Sequence, residues 1–203
     1  MSATRLLVLG VVRMRGEAHG YQVRQDLAMW AADRWANVKP GSIYHALKKL
    51  AADGALEAVH TEESPQGPDR VVYRITRQGE GDFFYQLNSA ISDVNTGQTM
   101  FNAALPFFTT LDRATLLFLL RSRIRQVEGQ IATSEFLNES TMIAENPDEI
   151  GKPAHVREMF RYWSASLVGV LDWLRDLVAR LEAGEYVLAD DSPTAFGMPP
   201  TNG

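Results

Sequence analysis

The stretch that decides the fold is Pro40-Gly41-Ser42-Ile43-Tyr44-His45-Ala46-Leu47-Lys48-Lys49-Leu50. An α-helix turns by about 100° per residue, which groups four apolar side chains on one arc: Ile43, Ala46, Leu47 and Leu50. The opposite arc carries Gly41, Tyr44, His45 and Lys48, with Ser42 and Lys49 at its flanks. This pattern fits an ordinary amphipathic surface helix, and it also fits a helix whose polar face enters the major groove of DNA. The neighbouring segments decide between the two interpretations.

The segments before this helix predict two further helices. Pro40 suits a first helical turn, where its missing N–H has no partner to lose, and Gly54 predicts a left-handed residue after the last turn. Residues 5–15 are mostly apolar and predict a short buried helix, although their β-branched content leaves a strand open. Residues 21–33 predict the second helix. The connections are a turn at 16–20 and a connector at 35–39.

A β-hairpin is predicted after the third helix. Residues 55–61 and 70–76 have strand character, and the polar loop 62–69 between them contains two prolines and a glycine. Thr76 is the predicted N-cap of the next helix. Three helices followed by a hairpin is the order of a winged helix-turn-helix, in which the third helix is the recognition helix. This order favours the DNA-binding interpretation of residues 40–50.

The second half of the sequence predicts long helices. Asp112 can cap the first of them. The last helix repeats apolar residues at alternating steps of four and three, a heptad seam that requires a partner helix: Val156, Phe160, Trp163, Leu167, Val170, Leu174, Leu177 and Leu181. A turn is predicted at 145–153, and Gly184 is the predicted end of the last helix. The predicted fold is mainly α, with a winged helix-turn-helix domain at 1–80, a long-helix dimerisation domain at 81–184 and a disordered tail at 185–203.

Composition limits the class of protein. The chain has 203 residues, of which 45% are hydrophobic and 22% charged, as in a globular protein. It has no apolar run of transmembrane length and no signal-peptide pattern, so we expect a cytoplasmic protein without a membrane partner. The absence of cysteine excludes disulfides and thiolate chemistry.

The net charge of −5 is unevenly distributed. Residues 1–80 contain 11 Lys/Arg and 9 Asp/Glu, a net charge of +2, and the remaining residues contain 9 and 16, a net charge of −7. A mildly basic module attached to an acidic one is compatible with this division. Because the basic excess is small, DNA binding has to depend on local geometry, and we expect a modest salt dependence.

The sequence contains no recognisable catalytic constellation. The four histidines lie in separate segments, without the i,i+4 pair that holds a metal ion. A phosphate-binding glycine loop with its lysine is absent, and so is a nucleophilic serine elbow. We therefore expect no enzymatic activity, no cofactor and no metal site.

Four ordered blocks resemble the PadR family of bacterial transcriptional regulators: His19-Gly20-Tyr21, residues 41–50, Asp53-Gly54-Ala55-Leu56 and residues 70–79. The long helical second half is similar to that of the larger PadR subfamily. The resemblance implies a homodimeric DNA-binding regulator, more often a repressor than an activator. In this family the winged helix binds an inverted repeat, and the C-terminal helices join two subunits. Several members release DNA when they bind a small aromatic or drug-like effector.

The sequence departs from the family pattern in the same region. Lys39 stands where serine or threonine often precedes the proline, which removes a side-chain cap and places a cation beside the helix N-terminus. His45 stands where proline is common. The wing carries Glu62, Glu63 and Asp69 around a single Arg70, and these carboxylates repel a phosphate backbone.

The predicted DNA contacts are Tyr21, Lys39, Gly41, Ser42, Tyr44, His45, Lys48, Lys49 and Arg70. Tyr44 and Lys48 are four residues apart on the outer face of the helix, so both can enter one groove. Some of these roles remain open. Lys49 fits a solvated helix face equally well, the Tyr21 ring suits core packing as well as a phosphate contact, and His45 can simply be exposed. The alternative function is a winged-helix protein-interaction module that does not bind DNA.

An effector site is a further expectation. Aromatic residues of the second half can line a pocket, and the candidate lining residues are Phe107, Tyr162 and Trp163. Aromatic stripes at helical spacing also form cores and dimer seams, so this alternative stays open.

Overall fold

The computed structural model describes residues 2–63, 69–144 and 150–200 and divides the chain into two compact units. The first unit extends to Leu116 and resumes at Tyr186, and the second runs from Leu117 to Glu185. Positions 64–68 of the predicted wing loop and 145–149 of the predicted turn lie outside the described residues. The predicted boundary near residue 80 differs from this division, because the helices that follow it pack against the first helix.

In the described residues of the first unit, four α-helices and one short strand precede a β-hairpin, and further helices follow it. Its elements are α1 (Ala3–Arg15), β1 (Glu17–His19), α2 (Gly20–Met29), α3 (Ala32–Trp35), α4 (Pro40–Ala52), β2 (Leu56–Glu62), β3 (Arg70–Ile75), α5 (Arg77–Ser92) and α6 (Gln98–Ala104). Short 3₁₀ turns at Val94–Thr96 and Leu105–Thr110 flank α6. The structure confirms a mainly α fold with an N-terminal winged helix.

The core of the first unit forms around α1 and the apolar face of α4. Residues 6–12 of α1 are buried throughout, which settles the helix-or-strand alternative in favour of the helix. The predicted apolar arc of α4 is buried, as expected from its spacing: Ile43, Ala46, Leu47 and Leu50. Arg15 of α1 pairs with the buried Asp26 of α2, and this hydrogen bond raises the pKa of the Arg15 guanidinium.

The second helix is shorter than the periodicity predicts. It ends at Met29, because Ala31 adopts a left-handed conformation with a φ of 53°. The single turn of α3 then follows where the sequence predicts helix and connector. The Trp35 indole Nε1–H donates to the Trp30 carbonyl oxygen at 2.8 Å and ties the two sides of this bend together. The apolar spacing of residues 21–33 does not reveal the break.

The predicted turn at 16–20 contains a third strand. β1 pairs antiparallel with β3, which also pairs with β2, so that the sheet order is β1-β3-β2. His19 is opposite Val72 in this register and then caps α2, because its Nδ1 accepts the Gln22 backbone N–H. The strand was not predicted because three residues carry little periodic signal.

The end of α4 and the start of α5 are held together by side-chain hydrogen bonds and close backbone packing. Gly54 takes the expected left-handed conformation, with a φ of 79°. The Thr76 hydroxyl accepts the Gly79 N–H, which confirms the predicted N-cap, and it also donates to the Gly54 carbonyl oxygen at 2.6 Å. Gln78 donates to the Asp53 carbonyl oxygen. Gly79 lies so close to Ala55 that a Cβ atom would overlap the Ala55 carbonyl oxygen.

The C-terminal segment packs against the first unit, where the sequence predicts a disordered tail. Leu188 is fully buried, and the Ala189 N–H donates to the Leu111 carbonyl oxygen. The buried Arg13 guanidinium donates to the Gly197 carbonyl oxygen at 2.8 Å and pairs with Glu80. The polar, Pro- and Gly-rich composition predicts disorder. Composition alone cannot show that the buried guanidinium of Arg13 needs a hydrogen-bond acceptor, which this segment provides.

The second unit consists of most of α7 (Arg113–Ser140), the short strands β4 (Ile143–Ala144) and β5 (Lys152–Pro153), and α8 (Val156–Glu182). Ion pairs Arg175–Glu128 and Arg121–Glu182 show that α7 and α8 run antiparallel. Asp112 caps α7 as predicted, and the Thr115 N–H that it accepts lowers the pKa of its carboxyl group. No helix in the described part of the chain is long and apolar enough to cross a membrane.

The heptad seam of α8 is only partly covered inside the second unit. Phe160, Leu174, Leu177 and Leu181 are buried, whereas Trp163 is 44% exposed. The left-handed Gly184 follows the end of the helix, as predicted.

A pair of glycines on α5 tests the contact between α4 and α5. We expect Gly79→Ala to lower the free energy of unfolding by about 2 kcal/mol or more, since its Cβ overlaps a backbone oxygen. Gly81→Ala on the same helix meets open space and should raise it by about 0.5–1 kcal/mol. Urea denaturation measures both values, and equal values for the two variants would contradict this packing.

A second pair of variants tests the packed C-terminal segment. Leu188→Ala should lower the free energy of unfolding by about 3 kcal/mol, because the side chain is fully buried. Its neighbour Val187 is mostly exposed, so Val187→Ala should change it by less than about 0.5 kcal/mol. Thermal or urea unfolding distinguishes the two, and a disordered segment would give negligible changes for both.

Candidate nucleic-acid interface

The start of α4 is capped by Ser42 instead of Lys39. Lysine has no acceptor atom for a cap, and the Ser42 Oγ reaches back to accept the Lys39 N–H at 3.1 Å. The same hydroxyl donates to the Lys39 carbonyl oxygen at 2.6 Å. Its proton is therefore already used, so Ser42 positions the first turn and has no free hydroxyl hydrogen for a phosphate.

The outer face of α4 is exposed as the helical pattern predicts. Gly41, Tyr44, His45 and Lys48 are all exposed, and the space around Gly41 is open. Within the described part of the chain, Lys39 and Lys48 form no ion pair, which leaves both ammonium groups available to a ligand. This face combines positive charge, hydrogen-bond donors and a small residue at which another backbone can approach.

Tyr44 contributes to the fold as well as to this surface. Its ring packs against Gly20 at the start of α2, so closely that a Cβ on Gly20 would overlap the ring carbons. The side chain remains 43% exposed. The contact fixes the ring at the edge of the outer face and explains the structural need for glycine beside His19.

Lys49 is engaged within its own helix. Its Nζ lies 3.0 Å from Asp53 Oδ1, and Arg5 of α1 contacts the other oxygen of the same carboxylate at 2.8 Å. The hydrogen bonds from Lys49 and then Arg5 hold the pKa of Asp53 below its ordinary value. Lys49 is still exposed, and exposed ion pairs contribute little free energy. Lys49 can therefore leave Asp53 to contact DNA, although the pairing makes it a less favourable candidate than Lys48.

The start of α2 meets the wing through Tyr21 and Arg70. Tyr21 is 52% exposed, which excludes core packing for its ring within the described structure. The Arg70 guanidinium carbon lies 5.5 Å from the centre of the Tyr21 ring, a cation–π distance. An arginine on β3 and a tyrosine on α2 thus form one small surface whose polar ends remain accessible.

The acidic side chains of the wing lie near histidines and arginine. Glu62 lies 3.8 Å from His19 Nε2 and 3.7 Å from His60 Nε2. Arg74 pairs with Glu57 and Glu17 on the neighbouring strands. The two pairs of Arg74 reduce the free positive charge of the sheet.

The predicted effector residues fall in different environments. Phe107 belongs to the core of the first unit, where its ring packs 5.5 Å from Phe83 and 5.8 Å from Trp30, edge to face. Tyr162 and Trp163 are exposed on α8, at 70% and 44%. Phe107 is fully buried, which leaves its ring no face for a ligand. No group of three or more metal-ligating side chains occurs among the residues that the structure describes.

Comparison with known proteins finds a family match for the first part of the chain. The model of the transcriptional regulator PadR-like family matches residues 8–83. Over these residues the chain is similar to PadR-like transcriptional regulators. The match spans the winged helix and confirms the resemblance seen in the ordered sequence blocks. No curated relative matches the sequence.

Several solved structures are similar to the chain at low identity. Bacillus subtilis PadR in complex with operator DNA is 20% identical, with 87% of this chain and 98% of that chain covered and a TM-score of 0.37. Its complex with p-coumaric acid is 17% identical, with coverages of 89% and 99% and a TM-score of 0.37. The smu.1604c protein of Streptococcus mutans UA159 is 22% identical, with coverages of 88% and 99% and a TM-score of 0.38.

Sequence patterns missed two features of this surface. The packing of Tyr44 on Gly20 joins separate helices, and the Tyr21–Arg70 contact joins a helix to a strand, so neither has a local periodic signal. The pairing of Lys49 with Asp53 could have been found, because an i,i+4 lysine–aspartate spacing is visible in the sequence.

A double-mutant cycle tests the contact between Tyr44 and Gly20. Gly20→Ala should lower the free energy of unfolding by about 1–3 kcal/mol, because the new methyl group displaces the ring. In a Tyr44→Ala background the same substitution should cost less than about 1 kcal/mol, since the space is then free. Gly41→Ala is the control for a glycine in open space. Additive free energies in urea denaturation would contradict the contact.

Proposed function

We propose that the chain regulates transcription by binding duplex DNA as a homodimer, with the outer face of α4 in the major groove. The observation that supports this proposal most strongly is that Tyr44, His45 and Lys48 are exposed on a helix whose other face is buried. Such a helix can be inserted without disturbing the core behind it. The PadR-like match over the same residues supports this use of the surface.

The side chains divide between two kinds of contact. Tyr44 and Lys48 face outward one helical turn apart and are the proposed contacts to base edges or adjacent phosphates. Lys39 lies beside the start of α4, where a phosphate is favoured by the helix dipole, and the Gly41 amide offers close backbone approach. Tyr21 and Arg70 are the proposed phosphate contacts from α2 and β3. His45 and Lys49 are secondary contacts, and Ser42 holds the first turn.

The second unit supports the proposed dimer. Its exposed large apolar side chains include Phe118, Phe136, Met159, Trp163 and Val168. A protein that remained a monomer would leave these side chains in water, and exposed apolar patches commonly mark interfaces. A dimer places two copies of α4 on one side of a duplex, about 34 Å apart, which requires an inverted-repeat operator.

The proposed regulatory outcome is repression. A dimer bound across two successive major grooves blocks access to the DNA beneath it, so an operator that overlaps a promoter gives repression. Release by a small-molecule effector is part of this proposal, because it provides the regulated step.

Substitutions on the outer face of α4 test the DNA-binding surface. In a mobility-shift assay on a duplex selected from random sequences, the Tyr44→Ala/Lys48→Ala double variant should lose sequence-specific binding, a loss of about 100-fold or more. Lys48→Ala alone should also reduce the slope of log K against log salt by about one unit per protomer.

The matched control removes a tyrosine and a cation from other exposed positions, Tyr85→Ala/Arg125→Ala, and should bind like the wild type. If the Tyr44/Lys48 variant binds its selected duplex normally, the proposed surface is wrong. If the wild-type chain fails to bind any duplex at low salt, where non-specific electrostatic binding is strongest, the protein-interaction module replaces the DNA-binding proposal.

A further inference from the structure

A cavity of about 360 Å³ lies within the first unit, between α2, α3 and the start of α4. Its size is at the lower end of the range for small-molecule sites. Six of the eight residues that line it are apolar, among them Leu27, Val38, Pro40 and Ile43, and Arg24 and Asp33 contribute the charged part of the lining. None of the residues predicted to bind an effector lines this cavity.

The two charged residues have opposite signs and lack partners. Arg24 lies on α2 and Asp33 on α3, and both are exposed at the cavity. Neither side chain makes a hydrogen bond or an ion pair with any residue that the structure describes. A guanidinium binds a carboxylate through two parallel hydrogen bonds, and a free carboxylate is a natural partner for an ammonium group.

The backbone around the cavity is held in an uncommon conformation. Ala31 and Asn37, on either side of α3, have φ values of 53° and 52°. Left-handed backbone is unfavourable for alanine, and such residues concentrate at ligand sites when the surrounding structure maintains them. Here the Trp35–Trp30 hydrogen bond maintains the bend, and the bend brings Asp33 to the cavity that Arg24 also lines.

We propose that this cavity binds a free α-amino acid with a large apolar side chain. The ligand carboxylate pairs with Arg24, its ammonium group pairs with Asp33, and its side chain packs against the apolar lining, of which Ala28 and Pro40 are the exposed members. Opposite charges beside an apolar cavity match a zwitterion better than a simple acid, which would leave Asp33 facing a second negative group.

The site adjoins the proposed DNA-binding helix. Val38 and Pro40 flank Lys39, and Ile43 lies behind the outer face of α4, so an occupied cavity contacts the segment that positions the first turn of that helix. The consequence for regulation rests on the proposed function, whereas ligand binding itself does not. We therefore test binding on the full chain without DNA, so that failure of the two proposals can be distinguished.

Isothermal titration calorimetry with L-phenylalanine and L-leucine tests the site directly. We expect saturable binding of one ligand per chain. 3-Phenylpropionate, which lacks the amine, and phenethylamine, which lacks the carboxylate, should each bind about tenfold more weakly than L-phenylalanine. L-Serine, which has no apolar side chain, should give no measurable heat.

Two variants assign the charged groups separately. Arg24→Gln should weaken the binding of L-phenylalanine by about tenfold without weakening that of phenethylamine. Asp33→Asn should weaken the binding of L-phenylalanine equally without weakening that of 3-phenylpropionate. Arg34→Gln removes a neighbouring exposed cation that does not line the cavity and is the matched control. Ala28→Phe fills the cavity from an exposed lining position and should abolish binding.

The proposal fails if neither amino acid binds at millimolar concentration. It also fails if Arg24→Gln and Asp33→Asn leave the affinities for both amino acids unchanged, or if 3-phenylpropionate binds as tightly as L-phenylalanine. All four substituted side chains are exposed and make no hydrogen bond or ion pair with the described residues, so we expect each variant to fold. Circular dichroism of each variant checks that the fold is retained.

Discussion

The contact between the end of α4 and the start of α5 is the constraint on which the winged helix depends. Thr76 and Gln78 satisfy the carbonyl oxygens of Gly54 and Asp53, and Gly79 allows α5 to approach Ala55 without a side chain between them. Both strands of the hairpin lie between these two helices in the chain, so this contact fixes the ends of the wing relative to α4. The Arg5–Asp53 ion pair connects the same point to α1.

On α4 itself, the structural and proposed DNA-binding roles are divided residue by residue. Ser42 caps the first turn, Lys49 pairs with Asp53, and the Tyr44 ring packs on Gly20. Lys39, His45 and Lys48 contribute nothing comparable to the fold. Positive charge is sparse, and Arg74 of the sheet already pairs with Glu17 and Glu57. Binding through this surface therefore has to rely on the shape and hydrogen-bonding groups of one helix more than on a general basic field.

The parts of the fold that were predictable are those with local signals. The buried arc of α4, the caps Thr76 and Asp112 and the left-handed Gly54 all follow from spacing within a few residues. The short strand β1 depends on pairing with β3, the break at Ala31 depends on the bend tied by Trp35, and the packed C-terminal segment depends on Arg13 at the other end of the chain. Among the site residues, exposure of Tyr44, His45 and Lys48 was predictable, whereas the Tyr21–Arg70 contact joins distant segments and was not.

The most direct test of the central proposal is a hydroxyl-radical footprint of the wild-type protein on the duplex selected from random sequences. Two copies of α4 in successive major grooves predict two protected tracts, related by an inverted repeat, with centres about 10 base pairs apart. A single protected tract would contradict the dimeric arrangement, and uniform protection or none would contradict specific recognition by α4.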